Sequence, residues 1–149
     1  MKNRELIVEI ANDEGKMADA LAVRHTVFVV EQMIDEVLER DELDAEAIHV
    51  VGYLEAEPVA AGRAVIEGGS AKIGRMAVLK AQRGKGFGVD ILQALEEACK
   101  DQGIWVARLN AQEHAAGFYS QAGYHRVEGT QPFLEAGIRH IMMKKDLSR

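Results

Sequence analysis

The sequence predicts an α/β (α+β) fold: a mixed, mostly antiparallel sheet of six to seven strands, helices on both faces, and a β-α-β unit at its centre. Three observations predict it. Three strand-like runs follow one another between residues 48 and 79, separated only by turn signals, as in an antiparallel meander. An amphipathic helical stretch then leads to another strand, and a strand-helix-strand crossover forces a parallel pair. The apolar fraction of 48% and charged fraction of 28% over 149 residues suit one folded domain, 1–149, with its own core.

Taken in order, Glu5 to Ile10 has the β-branched content of a first strand. Met17 to Val30 reads as a helix, with Met17, Ala20, Leu21, Val27 and Phe28 at helical spacing. Arg24 falls on the same stripe, where a partly buried salt bridge to a nearby acid is expected. A short helix and loop cover the acidic stretch that follows. Strands are expected at Ile48 to Leu54, Val59 to Ile66 and Ala71 to Leu79. Ala56-Glu57-Pro58 turns the chain between the first two, and Gly68-Gly69 makes the second hairpin. Gly86 to Lys100 is a helix with Ile91, Leu92, Leu95 and Cys99 on one face, ended by Gly103. A strand at Trp105 to Ala111, a short helix at Glu113 to Ala122 stopped by Gly123, and strands at Tyr124 to Glu128 and Ile138 to Lys144 complete the order.

Composition excludes several classes. No run approaches the ~18 continuous apolar residues of a membrane helix, and the opening residues lack an apolar leader core. Cys99, the single cysteine, cannot form an internal disulfide, so a cytoplasmic location is expected, and no membrane association. The net charge of −6 argues against nucleic acid. That charge is uneven. Glu31, Asp35, Glu36, Glu39, Asp41, Glu42, Asp44 and Glu46 surround one base, Arg40, a local −7. Such a stretch is either a solvated surface or an attractor for a cationic substrate. The five histidines show no close-spaced ligand pair, so no metal site is expected.

The strongest local signal is Gln82-Arg83-Gly84-Lys85-Gly86-Phe87-Gly88, between a strand and a helix. Glycines let the backbone approach a ligand, the helix start offers unpaired N–H groups and the positive dipole end, and two cations add charge. This is an anion site suited to phosphate or pyrophosphate. It lacks the Gly-Lys-Ser/Thr ending of a Walker loop, and its G-x-G-x-G spacing differs from the dinucleotide fingerprint.

Arg83-Gly84-Lys85-Gly86-Phe87-Gly88 resembles the R/Q-x-x-G-x-G/A coenzyme A loop of the GNAT superfamily of N-acetyltransferases, and Phe118-Tyr119-Ser120-Gln121-Ala122-Gly123-Tyr124 is a second GNAT-like stretch. The resemblance covers nearly the whole chain, because the element order is also that of the GNAT fold. Val27 to Gln32, Leu109-Asn110-Ala111-Gln112, and Phe133-Leu134-Glu135-Ala136-Gly137-Ile138 running to His140 look like the ElaA-type bacterial branch, with Arg139 where a proline often stands.

The resemblance implies acetyl-CoA as co-substrate and direct transfer of the acetyl group to a primary amine of a small molecule or peptide. Arg83, Gly84, Lys85, Gly86, Phe87 and Gly88 would bind the pyrophosphate, the backbone of Met76, Ala77 and Val78 would pair with the pantetheine arm, and Asn110 would contact the cofactor. Tyr119 is the candidate acid for the leaving thiolate, a tyrosine being protonated at pH 7. The strand where many GNAT enzymes place a glutamate reads Lys72-Ile73-Gly74-Arg75-Met76-Ala77-Val78, without a carboxylate. Glu31, His49, Glu113, His114, His140 or a water therefore remain open as the base. Cys99 is expected to pack. A coenzyme A-binding sensor without turnover and a longer acyl-CoA donor are the alternative functions. The acceptor is expected to be cationic, with homodimerisation left open.

Overall fold

The computed structural model describes residues 5–148. Residues 1–4, part of the polar opening read above, lie outside the described residues. Strand β1 (Ile7–Ile10) is followed by helix α1 (Glu14–Arg24), whose N-cap Asp13 accepts a hydrogen bond from the Lys16 amide. The helix then widens into a π-helical segment, His25–Glu31. One continuous helix was expected through Val30; the looser i→i+5 bonding, continued by Gln32 N–H to the Val27 carbonyl, shifts the last turn outward. A short α2 (Glu36–Glu39) and a 3₁₀ turn (Glu42–Ala45) carry the acidic stretch.

The meander is β2 (Ile48–Leu54), β3 (Glu57–Glu67) and β4 (Ser70–Val78). Pairing of Leu54 with Glu57 moves the first hairpin turn to Glu55-Ala56, one residue earlier than Ala56-Glu57-Pro58, and Pro58 lies within the strand beside a bulge. Next come α3 (Phe87–Asp101), β5 (Val106–Gln112), α4 (Ala116–Gln121), β6 (His125–Arg126), β7 (Phe133–Glu135) and β8 (Ile138–Asp146). The eight strands form one sheet in the order β1-β2-β3-β4-β5-β8-β6, with β7 paired to β8. The count exceeds the expected six to seven because the stretch before Ile138 folds back as a three-residue strand, Phe133 opposite His140.

Alternation along β2 supplies both cores. Val50 faces α3 and joins Ala64, Ile73, Ile91, Leu92, Leu95 and Cys99; Val51 faces α1 and joins Ala20, Val23, Val27, Phe28, Ala61 and Ala77. Cys99 packs in the first cluster as expected, and burial pushes its thiol up to about 11. No helix among the described residues is long and apolar enough to cross a membrane.

The sheet opens at one place. The parallel pairing of β4 with β5 runs only from Ser70↔Val106 to Ile73↔Leu109. β4 continues to Val78, paired to β3 alone, with a bulge opposite Gly62 at which Arg75 takes φ +51°. The strands therefore diverge beyond Ile73 and Leu109, and the cleft between them lies at the N-terminal end of α3.

Candidate functional site

A cavity of about 960 Å³ occupies this cleft, walled by the π-helical segment, β4, the glycine-rich loop, the start of α3, β5, α4 and the β7-β8 hairpin. At one end sits the loop. Gly84 (φ +80°) and Gly86 (φ +83°) are left-handed, and nothing lies within 4 Å of where a Cβ would project from either. Gly86 is the N-cap of α3, and no side chain among the described residues caps that helix. Its first-turn amides are consequently free for an anion, and the open space lets one approach the backbone.

The cations of the loop are arranged differently from a simple open patch. Arg83 donates from both terminal nitrogens to the Glu31 carboxylate at 2.6 Å and from Nε to the Val78 carbonyl at 2.9 Å. The Arg83 contact holds the Glu31 carboxyl below its usual range. Lys85 is bonded to Gln82 at 2.8 Å and is not part of the cavity wall, unlike Arg83, Gly84, Gly86, Phe87 and Gly88. Met76, Ala77 and Val78 line the cavity from the half of β4 without a β5 partner. Asn110 lies inside β5 and not at its end; it is the first residue past the last β4-β5 pair, and its amide donates to Glu135 at 3.3 Å.

Tyr119 lines the same cavity from α4. Its ring is packed edge-on against Phe118 and Tyr124, and burial pushes the phenol upward, so it stays protonated. The hydroxyl has no hydrogen-bond partner, yet among the described residues the only enclosed unpartnered side-chain atom is His49 Nδ1. The Tyr119 hydroxyl is therefore open to the cavity.

The five base candidates separate. His49 lies outside this cavity, with Nε2 on the Asp44 carbonyl at 2.8 Å. Glu113 also lies outside it, bonded to Arg139 at 3.2 Å. Glu31, His114 and His140 line it.

Half of the acids in the acidic stretch, Glu31, Glu39, Asp41 and Asp44, are paired with arginines from other parts of the chain. Arg24, only 1% exposed, donates to Glu39 at 2.7 Å and to Asp44 at 2.9 Å. This is the salt bridge expected of it, made twice. Arg63 holds Asp41 and Asp44, both at 2.7 Å, and Arg75 reaches Asp41 at 3.2 Å. Burial works to raise the Asp44 carboxyl, but the bonds to Arg24 and Arg63 outweigh it and hold it well below the carboxylate range. Asp35, Glu36, Glu42 and Glu46 remain exposed.

Sequence reasoning did not assign Arg63, Glu39 or the pair formed by Gln32 and Gln112 to the cavity, although all four line it. The two glutamines exchange amide bonds at 3.0 and 3.2 Å, joining the π-helical segment to β5. Both lie in stretches picked out by resemblance, which is the signal that could have found them. Among the described residues no cluster of three His, Cys, Asp or Glu side chains could hold a metal.

Residues 10–147 match the family model described as Acetyltransferase (GNAT) domain. The chain is 44% identical over 137 residues to the Bacillus subtilis protein YjcF, described as an uncharacterized N-acetyltransferase, covering 92% of this chain and 97% of that one. The solved structure of Escherichia coli ElaA superposes with a TM-score of 0.80 at 27% identity, covering 97% of this chain and all 100% of ElaA. An acyl-CoA N-acyltransferase from Pseudomonas aeruginosa gives the same TM-score and identity, over 96% and 99% of the two chains.

Proposed function

Since this chain belongs to the GNAT acetyltransferase family, we propose that it is an acetyl-CoA-dependent N-acetyltransferase that acts as a single domain over residues 1–149. It moves an acetyl group by direct transfer to a primary amine of a small molecule or peptide, in the cytoplasm. The observation that carries the reading is one cavity with an uncapped, glycine-bounded helix start at one end, an unpaired strand edge along its side, and the open Tyr119 hydroxyl.

The thioester, when bound, supplies an activated acyl group. The chain does the rest. Amides at Gly86, Phe87 and Gly88 would hold the pyrophosphate, assisted by the dipole of α3. The free edge of β4 at Met76, Ala77 and Val78 would align the pantetheine arm as an added strand. Asn110, at the point of divergence, would contact the cofactor, and Lys85 would act only as a nearby cation. Tyr119 would protonate the leaving sulfur, a role that requires a phenol kept neutral at pH 7. The acceptor is a cationic amine drawn by the exposed Asp35, Glu36, Glu42 and Glu46, because the remaining acids of that stretch are ion-paired.

The test combines calorimetric titration with acetyl-CoA and thiol release over a panel of primary amines. Binding with release supports the enzyme. Binding without release from any amine supports the sensor, and a stronger response to longer acyl-CoA shifts the donor.

A further inference from the structure

We propose that His140 is the base that takes the proton from the acceptor amine, with Glu135 stabilising the imidazolium so formed. The inference rests on the acetyltransferase reading and supplies the group that β4 lacks. His140 sits on β8 opposite both Gln112 and Phe133, and it lines the cavity that Tyr119 also lines. Its Nδ1 lies 2.6 Å from the Ile138 carbonyl. A carbonyl only accepts, so Nδ1 carries the hydrogen and Nε2 keeps the lone pair.

That lone pair is available. Among the described residues Nε2 has no hydrogen-bond partner, its neighbour being Glu135 Oε2 at 3.7 Å. Because His49 Nδ1 is the only enclosed unpartnered side-chain atom among the described residues, Nε2 of His140 opens to the cavity although the residue is 6% exposed. The ring is fixed by stacking on Phe133, with centroids 5.9 Å apart and planes 25° from parallel.

The rival groups are less well placed. Glu31 is held by Arg83. His114 donates its Nε2 hydrogen to Gln112 at 2.7 Å and keeps its lone pair on Nδ1, but its ring is exposed to solvent, where His140 is buried. The ionisable groups on the segments neighbouring His140 are Glu135 on β7, Glu113 and His114 after β5, and Arg139 on its own strand; Glu31 and Tyr119 line the same cavity. Arg139 is taken by Glu113, so Glu135 is the carboxylate left beside Nε2.

The proton balance closes. An alkylammonium with a pKa near ~10.4 is only about four parts in ten thousand neutral at pH 7. Nε2 accepts one proton from it, and the neutral nitrogen forms the C–N bond as the C–S bond breaks. The Tyr119 proton goes to sulfur, the new amide nitrogen returns a proton to Tyr119, and His140 releases its own to water.

The experiment measures pH profiles of thiol release for wild type, His140→Gln and Glu135→Gln over an amine panel (spermidine, lysine methyl ester, phenethylamine), together with long-range ¹H–¹⁵N spectra of the histidine rings. Expected for His140→Gln is a kcat loss of about 10²- to 10⁴-fold, with the acidic limb gone and the KM for acetyl-CoA unchanged. Glu135 is exposed, so Glu135→Gln keeps the fold and moves the acidic limb to lower pH. The spectra should show hydrogen on Nδ1 of His140. Hydrogen on Nε2 instead, or a limb unchanged in both variants while wild type turns over, overturns the inference alone. Wild type inert toward every amine overturns the acetyltransferase reading and this inference with it.

Discussion

Replacing Gly86 separates backbone strain from charge at the loop. Gly86 holds φ +83° and ψ 7°, and nothing lies within 4 Å of a projected Cβ. Alanine there meets no clash and suffers only the left-handed conformation, about 1–2 kcal/mol. For a domain of this size that lowers Tm by about 2–8 °C. The same Cβ occupies the approach to the α3 amides. Loss of one charge-assisted hydrogen bond there costs about 1.5–3 kcal/mol, or about 10- to 150-fold in Kd for acetyl-CoA. Gly86→Asp adds a carboxylate on the anion's approach to the α3 amides. Two like unit charges about 4 Å apart at an effective dielectric near ~20 repel by about 4 kcal/mol, so the aspartate variant should lose far more affinity than the alanine variant. The assay is calorimetric titration with acetyl-CoA at low and high salt, paired with a melting curve for each variant. Salt should partly restore the aspartate variant and leave the alanine variant unchanged. Two folded variants that bind as tightly as wild type would refute the assignment of this loop to the pyrophosphate.

Tyr119→Phe should lower kcat by about tenfold to ten-thousandfold with the acetyl-CoA KM and Tm unchanged, since the hydroxyl removed has no protein partner and the ring contacts remain; steady-state kinetics and calorimetry check this. Asp41 and Asp44 have carboxyls depressed by arginine bonds, so the stability they contribute is present above about pH 4 and lost as pH falls below it. Denaturant midpoints from pH 7 to pH 3 should fall in that lower window, less steeply in Asp41→Asn. Asp44→Asn should cost about 3 kcal/mol, the low end for breaking a buried pair because Asp44 keeps 17% exposure; an unchanged urea midpoint would dismiss the network as structural. Neutralising Glu36, Glu42 and Glu46 together should flatten any fall of kcat/KM with ionic strength and leave Tm unchanged.

The features legible in the sequence were those set by local chemistry. The stripe Ile91, Leu92, Leu95, Cys99 is a helical face because it recurs every three to four residues, and all four are buried. Gly68-Gly69 closes a hairpin because nothing else accepts that turn so cheaply. The parallel β4-β5 pair follows from the crossover. The first hairpin was misplaced by one residue because Glu55 and Ala56 adopt positive φ with ordinary side chains, which register enforces and propensity disfavours. The π-helical turn after Arg24 has no sequence mark at all. Its bonding is chosen by where Val27, Phe28 and Gln32 must land against β4 and β5.

Charge was the least legible property, for a reason of geometry. The net −7 counted along residues 31–46 treats those carboxylates as companions, whereas the fold gives Glu39, Asp41 and Asp44 to Arg24, Arg63 and Arg75, which come from a helix and two strands. Arg24, Arg63 and Glu39 are buried, and each of them alone would be a costly buried charge. Together they clamp α2 and the 3₁₀ turn against the sheet and give the cavity a rigid wall. Attraction of an amine then falls to the acids left outside the clamp, which stand exposed, where salt screens them. Selection beyond that encounter is left to the side chains that the clamp positions on the cavity wall, Leu38 and Leu43 among them. Shape and apolar contact, more than net charge, are what this end of the cavity has to offer an acceptor.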